Sequence, residues 1–297
     1  MRKNVTFSSN GLSCKGWLFK PNNIANNQKA PAVVMAHGFS AVKEMGLEGY
    51  AERFASAGFI TLVFDYRHFG ESEGEPRGQL FPQEQLDDYR NAISWLTQHP
   101  QVDPERIGVW GTSQSGGTVL HLAAFDRRVK AVVAQVPNTW SPEQRLIRNP
   151  AKLGLRSLLV KDRTDRYESR SLNYMKVVAP PGEACALPTV DSYEFYMRVK
   201  DSAPNWRNEV TLESMEKVFE FDPVGPIRLI APTPLLMVVD ENDSLIPSDM
   251  SRAAFERAGE PKKLIMFPCG HFDVYSEPWF VKIVGLEVDW FKEHLFK

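Results

Sequence analysis

Short apolar runs alternate with amphipathic segments along most of this chain. The runs at 31–36, 59–64, 107–110, 129–136, 234–239 and 262–267 are typical of strands buried within a sheet. Between them, apolar residues recur at helical spacing, as in Leu86, Tyr89, Ile93 and Leu96, and a last helix is predicted from Ser276. This alternation predicts an α/β fold, with a mostly parallel, twisted sheet and helices on both of its faces.

Two parts of the chain depart from this alternation. Near the start, Asn10-Gly11 between β-rich runs predicts a hairpin. Residues 138–226 have no comparable buried run but show helix starts, with a capping box beginning at Asp191 and an N-cap at Thr211. Because such a stretch is too long for a plain loop, we predict a mostly helical cap inserted over the carboxyl edge of the sheet. The predicted core domain comprises 1–137 and 227–297.

Composition limits the classes of partner and location. A formal net charge of −2 leaves no basic surface, so a nucleic-acid partner is not expected. No apolar run approaches the ~20 residues that span a bilayer, and the first residues lack the apolar stretch of a signal peptide. Cys14, Cys185 and Cys269 are odd in number and widely spaced, so no disulfide framework is predicted. The expected location is the cytoplasm.

The most informative segment is the turn that follows the run at 107–110. Gly111 ends the predicted strand, Ser113 follows two residues later, and Gly116-Gly117 opens an amphipathic segment at 118–124. A strand, a sharp turn with serine at its apex and a helix together form the context of a nucleophile elbow. The usual pattern is Gly-x-Ser-x-Gly, and here Ser115 stands at the second glycine position. Ser113 is the predicted nucleophile, with Ser115 as the alternative register.

A serine alcohol needs a base at neutral pH. His271 lies in the loop after the last predicted strand, where parallel sheets present functional side chains. His68 also falls in a loop near this edge and remains an alternative, but the chain order serine, acid, histidine favours His271. His37 is predicted to brace the loop after its own strand. The other histidines are predicted to be structural or solvated, namely His99, His121 and His294.

The base in turn needs an orienting carboxylate, which is expected between the serine and the histidine. Asp240, Glu241 and Asp243 follow the strand at 234–239. Asp240 and Glu241 directly continue that strand, whereas Asp243 lies in the loop beyond it. Asp243 is therefore the predicted acid, and the other two carboxylates are the alternatives.

Acyl chemistry also needs donors for a tetrahedral oxyanion. By position alone, we predict the backbone N–H groups of Phe39 and Gln114. Trp140, Tyr196 and Trp206 are candidates for lining a substrate pocket, although the commoner explanation for the aromatic residues of this segment is that they form the small core of a cap. Cys269 and His271 have no partner cluster at ligand spacing, so no metal and no cofactor are predicted.

These motifs resemble the α/β-hydrolase superfamily over nearly the whole chain. The resemblance rests on His37-Gly38, the stretch 65–72, the Ser113 elbow, Asp243 and Gly270-His271. Gly-Thr-Ser-x-Ser-Gly-Gly, 206–209 and 270–275 are similar to a narrower group that is related to dienelactone hydrolases and includes fungal polyketide transferases. Dienelactone hydrolases proper use a cysteine nucleophile, so the serine here means that lactone opening is not implied.

The leading hypothesis is a serine hydrolase that cleaves an ester or thioester through an acyl-enzyme. The first alternative is an acyltransferase that passes the acyl group, for example a polyketide chain, to an alcohol or amine. The second is a binding protein that keeps a hydrolase fold without catalysis. The expected partner is a small acyl ester or thioester, including one bound to a carrier, and the sequence leaves the oligomeric state open.

Overall fold

A twisted sheet forms the centre of the computed structural model, which describes residues 1–22, 24–25, 28–148 and 153–296. The strands are β1 (Arg2–Ser9), β2 (Leu12–Phe19), β3 (Ala30–Ala36), β4 (Ile60–Phe64), β5 (Val102–Thr112), β6 (Val129–Gln135), β7 (Tyr174–Met175), β8 (Val210–Thr211), β9 (Leu235–Asp240) and β10 (Lys262–Phe267). Eight of them make one sheet in the order β1-β2-β4-β3-β5-β6-β9-β10. Pairing is parallel from β4 to β10 and antiparallel at β1 and β2. The predicted α/β architecture is confirmed.

Helices cover both faces of this sheet. They are α1 (Glu48–Ser56), α2 (Pro82–Thr97), α3 (Gln114–Phe125), α4 (Pro142–Arg148), α5 (Leu153–Ser169), α6 (Val190–Val199), α7 (Leu212–Glu220), α8 (Ser248–Arg257) and α9 (Trp279–Leu295). Buried residues of α1 and α9 share one apolar cluster, and those of α2, α3 and α8 share the other. Along β3, Val33 and Met35 face the first cluster and Val34 the second, which is why this strand is apolar throughout.

Most predicted element starts are close to the observed ones. Asn10 and Gly11 both have positive φ in the β1–β2 turn, as a two-residue hairpin requires. The Thr211 side chain accepts the Ser214 N–H and caps α7, as predicted. The predicted capping box at Asp191 is wrong, because α6 begins at Val190 with Thr189 at the N-cap.

The last helix also differs from its prediction. It begins at Trp279 rather than at Ser276, because residues 276–278 form a bend and a turn after a short 3₁₀ helix at Asp273–Tyr275. The carbonyl of Ser276 nevertheless accepts the N–H of Phe280, so the chain already follows a helical path there.

Segment 138–226 contains α4 to α7 and a small sheet of β7 and β8. Its buried side chains, among them Leu159, Phe195 and Met215, join the same apolar cluster as β3 and α3. The segment therefore shares its apolar core with the side of the sheet that carries α3. Among the described helices, none combines the length and hydropathy that a membrane span requires.

Candidate active site

Ser113 occupies a strained turn between β5 and α3. Its backbone has φ 55° and ψ −119°, a conformation that side-chain-bearing residues rarely adopt. Two nearby glycines, Gly111 and Gly117, make room for this turn because they lack side chains. A Cβ on Gly111 would collide with the carbonyl of Ser115, and one on Gly117 would lie 2.5 Å from the Asn138 oxygen. The sharp turn directs the serine side chain away from the sheet.

Three predicted residues from three separate loops meet at this turn. The Ser113 Oγ lies 2.9 Å from His271 Nε2. The other ring nitrogen, Nδ1 of His271, lies 2.6 Å from Asp243 Oδ2. The parallel strands β5, β9 and β10 end at the same edge of the sheet, which is why loops far apart in sequence come together. The result is a continuous hydrogen-bonded relay from hydroxyl to imidazole to carboxylate.

The carboxylate of Asp243 is held in place by its own loop. Its Oδ1 accepts the backbone N–H groups of Leu245 and Ile246, both at 2.8 Å, which leaves Oδ2 for His271. The side chains of Asp243 and His271 are 3% and 1% exposed, so little water competes for their hydrogen bond. This geometry suits a group that orients the imidazole and stabilises its charged form.

The alternative acids lie in different surroundings. Asp240 is fully buried at the end of β9, and burial raises the pKa of its carboxyl to about 7, although the nearby Cys269 thiol and His271 ring oppose the shift. Glu241 is exposed and lies 3.9 Å from Arg252. Of the three carboxylates, Asp243 is the one that forms a hydrogen bond with His271.

The pKa of His271 is raised overall. Burial lowers it, but the charge of Asp243 and the hydrogen bond to that carboxylate outweigh the loss of solvation, and Asp240 adds a smaller contribution. The ring is therefore more basic than an ordinary buried histidine. Such a ring is suited to accept a proton from Ser113.

The other two histidines of this sheet edge, His68 and His37, have partners outside the relay. The Nδ1 atom of His68 is 3.1 Å from the Pro76 oxygen, and its Nε2 is 3.3 Å from Glu84. The Nδ1 atom of His37 is 3.1 Å from the Gly38 oxygen, and burial lowers the pKa of this ring to about 4. His37 is thus a neutral ring braced against its own loop, in the position that the sequence predicts.

The predicted oxyanion donors border the serine. Phe39 and Gln114 line one cavity together with Ser113. Within the described residues, no hydrogen-bond acceptor takes the backbone N–H of either residue. Gln114 is the first residue of α3, so its N–H also lies at the positive end of the helix dipole. Two unpaired donors beside a nucleophile are the arrangement that stabilises a developing oxyanion.

A mostly apolar cavity of about 240 Å³ opens on Ser113. Its lining comes from the sheet loops and from segment 138–226, including Trp140, Leu187, Met215, Val218 and Leu245. Sequence reasoning missed Leu187, Met215 and Val218, because apolar residues in a loop or on a short helix carry no local sign of what they face. Of the three predicted pocket residues, Trp140 lines this cavity. Its indole N–H donates to the Leu245 oxygen at 2.9 Å.

Tyr196 and Trp206 lie apart from this larger cavity. Tyr196 lines a separate space of about 20 Å³ against Ser113, enough for a single water molecule. The ring of Trp206 packs against that of Tyr196 with centroids 5.4 Å apart. Trp206 is not among the residues that line either space. The polar ends of both side chains bind the loop that carries Phe39.

Ser115 is buried and lies away from the relay. Its Oγ is 2.8 Å from the hydroxyls of both Tyr66 and Tyr89. Tyr89 also donates to the carbonyl of Trp110 at 2.8 Å. The residue that departs from the usual elbow pattern thus joins α3 to two tyrosines, and the relay runs through Ser113.

A charged cluster joins the loop after β3, which carries Lys43, to the loop after β4, which carries Asp65. The ammonium of Lys43 contacts Glu44, Asp65 and Glu71 at 2.7–2.8 Å. These carboxylates lie close enough together to hold a cation, but the positive charge among them is that of Lys43. Asp65 also accepts the backbone N–H groups of Lys43 and Glu71, so the cluster holds the loop in place.

Comparison with known proteins agrees with this fold. Quorum-quenching protein AidA of Acinetobacter baumannii is 33% identical over 97% of this chain and 93% of its own length. Thiohydrolase aneE of Aspergillus aculeatus is 33% identical over 86% and 80%. Polyketide transferase ATR5 of Stachybotrys chlorohalonatus is 32% identical over 89% and 88%. A solved structure of DcsB in complex with its substrate analogue superposes with a TM-score of 0.88 at 28% identity, covering 100% of both chains.

The fold and its relatives define an enzyme of the α/β-hydrolase fold, in the class of hydrolases and acyltransferases. The predicted superfamily, its polyketide-transferase-like group and the prediction of an enzyme are confirmed. A family model described as X-Pro dipeptidyl-peptidase (S15 family) matches residues 17–273. The chain belongs to this family.

Replacing Ser115 with Ala tests the buried tyrosine network. Tyr89 keeps the Trp110 carbonyl, but the hydroxyl of Tyr66 loses its partner, so we expect the free energy of unfolding to fall by about 1–3 kcal/mol. Urea denaturation measures this loss. Ser113→Ala is the matched control, because it leaves the network intact and adds no bulk to the turn. Equal stability of Ser115→Ala and the unmodified protein would contradict the assigned role.

Proposed function

We propose that this chain is a serine hydrolase that cleaves an ester or thioester through an acyl-enzyme on Ser113. The observation that carries the proposal is the relay from Ser113 through His271 to Asp243, with links of 2.9 and 2.6 Å. The unpaired N–H groups of Phe39 and Gln114 beside it support the same chemistry. The nucleophile, the base and the oxyanion donors thus all come from the chain itself.

In the first half-reaction, Ser113 Oγ attacks the substrate carbonyl while His271 Nε2 takes the hydroxyl proton. The carbonyl oxygen becomes an oxyanion that accepts hydrogen bonds from Phe39 and Gln114. When the intermediate collapses, His271 returns the proton to the departing alcohol or thiol and an acyl-Ser113 ester remains. Water then repeats the sequence, and His271 returns its proton to Ser113. Asp243 holds the ring through its Nδ1 atom and stabilises the imidazolium.

We further propose that segment 138–226 acts as a cap that selects the acyl group. The cavity at Ser113 is larger than the roughly 150 Å³ in which benzene binds, so it suits an aromatic ring or a medium-length chain. Its described lining contains no carboxylate and includes the cationic side chain of Arg145, so a substrate ammonium has no counter-ion there. The site therefore favours a neutral acyl group over the free amino terminus of a peptide.

Acyl transfer is the second candidate. It is favoured by the similarity to polyketide transferase ATR5. Transfer and hydrolysis share the acyl-enzyme and differ in whether water or another nucleophile attacks it. Adding alcohols or amines to an ester assay separates the two, because a transferase forms a new ester or amide in proportion to acceptor concentration.

We also propose a small-molecule substrate, including an acyl group bound to a carrier, and a cytoplasmic location. The location is supported by Cys14, Cys185 and Cys269, which are free thiols. Unpaired cysteines of this kind are typical of reducing compartments.

Substitutions in the relay test the proposed mechanism. We expect Ser113→Ala to abolish ester cleavage and labelling by a fluorophosphonate. We expect Asp243→Asn to lower kcat by about 10⁴-fold, as in serine proteases, because the imidazole loses its orienting partner. Asp240→Asn is the matched control, with a loss below about ten-fold, since the bond to His271 comes from Asp243. A large loss at Asp240 with a small one at Asp243 would reassign the acid.

The pH profile tests the protonation state of His271. Only the neutral ring accepts the serine proton, so kcat/KM should rise as the pH passes upward through the pKa of His271. Because that pKa is raised, the midpoint of the acid limb should lie above the ordinary value of about 6.5. Asp240 has a pKa of about 7 and titrates in the same range. Its ionised form favours the imidazolium, so Asp240→Asn should move the midpoint downward. A midpoint below the ordinary value in the unmodified enzyme would argue against this assignment.

Filling the cavity tests where the acyl group binds. Val218→Phe should lower kcat/KM for octanoyl esters by roughly ten-fold or more, and leave acetyl esters within about two-fold, because a short chain needs little of the space. Lys217→Ala on the same helix is the control, since its side chain pairs with Glu220 at the surface. An X-Pro anilide in the same panel tests peptidase activity. Equal losses for both esters would place the acyl group elsewhere.

A further inference from the structure

Helix α6 of the predicted cap contacts three loops around the relay. Near its start, the Asp191 carboxylate accepts the hydroxyl of Ser244, the residue after Asp243, at 2.7 Å. Phe195 stacks on Phe272, the residue after His271, with ring centroids 4.6 Å apart and planes at 20°. These two contacts join α6 to the acid loop and to the base loop.

The third contact reaches the predicted oxyanion loop. The hydroxyl of Tyr196 donates to the carbonyl of Phe39 at 2.5 Å. Trp206, which follows α6, donates its indole N–H to the carbonyl of Ser40 at 2.9 Å. The two rings pack against each other with centroids 5.4 Å apart and planes at 34°, so they form a single support. Two consecutive carbonyls of the loop are thus bound by side chains from segment 138–226.

The oxyanion loop needs such support because its backbone is strained. Ser40 has a φ of 47°, an uncommon value for a residue with a side chain. Conformations of this kind persist where surrounding contacts determine them. On the sheet side, His37 Nδ1 lies 3.1 Å from the Gly38 oxygen. On the opposite side, the contacts to Phe39 and Ser40 come from Tyr196 and Trp206.

We propose that Tyr196 and Trp206 are positioning residues that align the Phe39 N–H with the oxyanion, so that this donor is in place only while α6 is docked. This inference rests on the proposed function, in which the Phe39 N–H is an oxyanion donor. It gives the two aromatic residues a role different from lining a substrate pocket. It also makes cap docking a condition for catalysis rather than for substrate choice alone.

The two roles predict different kinetic patterns. A pocket residue contributes in proportion to the acyl surface that it covers, so its loss penalises long acyl groups. A residue that aligns an oxyanion donor contributes mainly in the transition state, so its loss lowers kcat for every acyl group and leaves KM nearly unchanged. Removing a single hydroxyl is the sharpest test, because the aromatic ring and its packing remain.

The experiment compares Tyr196→Phe and Trp206→Phe with the control Tyr193→Phe. Tyr193 lies on the same helix, and its partly buried ring packs against the apolar core rather than binding the loop. For each variant, kcat and KM are measured with acetyl and octanoyl esters. The Ki of a trifluoromethyl ketone is measured as well, because this inhibitor forms a tetrahedral adduct with its oxyanion in the hole. Rates are normalised to the Ser113 sites that a fluorophosphonate labels, and melting temperatures report folding.

We expect Tyr196→Phe to lower kcat about ten-fold for both esters, with KM within about two-fold and the Ki raised in parallel. Trp206→Phe should show the same pattern, and it decides the question if the Tyr196 variant does not fold. Tyr193→Phe should match the unmodified enzyme.

Unchanged kcat and Ki in both test variants would overturn the inference, and so would a loss confined to octanoyl esters. Neither result would affect the proposed function, whose failure has a separate sign: activity that survives in Ser113→Ala. A Tyr193→Phe variant as impaired as Tyr196→Phe would also overturn it, because the effect would then belong to the helix in general.

Discussion

The strained backbone at Ser113 is the constraint on which the rest of the site depends. A residue with a side chain adopts such a conformation only where its surroundings enforce it. Here β5 arrives from inside the sheet, α3 leaves at a sharp angle, and Gly111 and Gly117 permit the close approach of backbone atoms. The turn exposes the hydroxyl and presents the first N–H of the helix beside it. Both groups that the proposed chemistry needs thus come from one local feature.

The relay built on this turn is buried and internally paired. Asp243 uses one oxygen for its own loop and the other for His271, so both the position and the orientation of the carboxylate are determined. With little water nearby, these charge-assisted bonds are stronger than at a surface. The same buried carboxylate raises the pKa of His271 against the effect of burial. Geometry and basicity of the ring therefore have a common cause.

The departure from the usual elbow pattern has a structural explanation. Ser115 occupies a position where glycine is usual, and its hydroxyl bridges Tyr66 and Tyr89 beneath the turn. Tyr66 also packs edge-on against His37, which braces the predicted oxyanion loop. On the other side, α6 contacts the oxyanion, acid and base loops. The site thus lies between a polar network below and a helix of segment 138–226 above.

The sequence by itself determined the alternation of strands and helices, the elbow and the order of serine, acid and histidine, because each is encoded in neighbouring residues or in chain order. It left Ser113 and Ser115 both open as nucleophiles, and it grouped Tyr196 and Trp206 with Trp140 as pocket residues. Tertiary structure brought Ser113 to His271 and paired Tyr196 and Trp206 with carbonyls 157 and 166 residues away. The residue type alone does not show whether an aromatic ring with one polar atom lines a pocket or supports a loop. Only the position of its distant partner distinguishes the two.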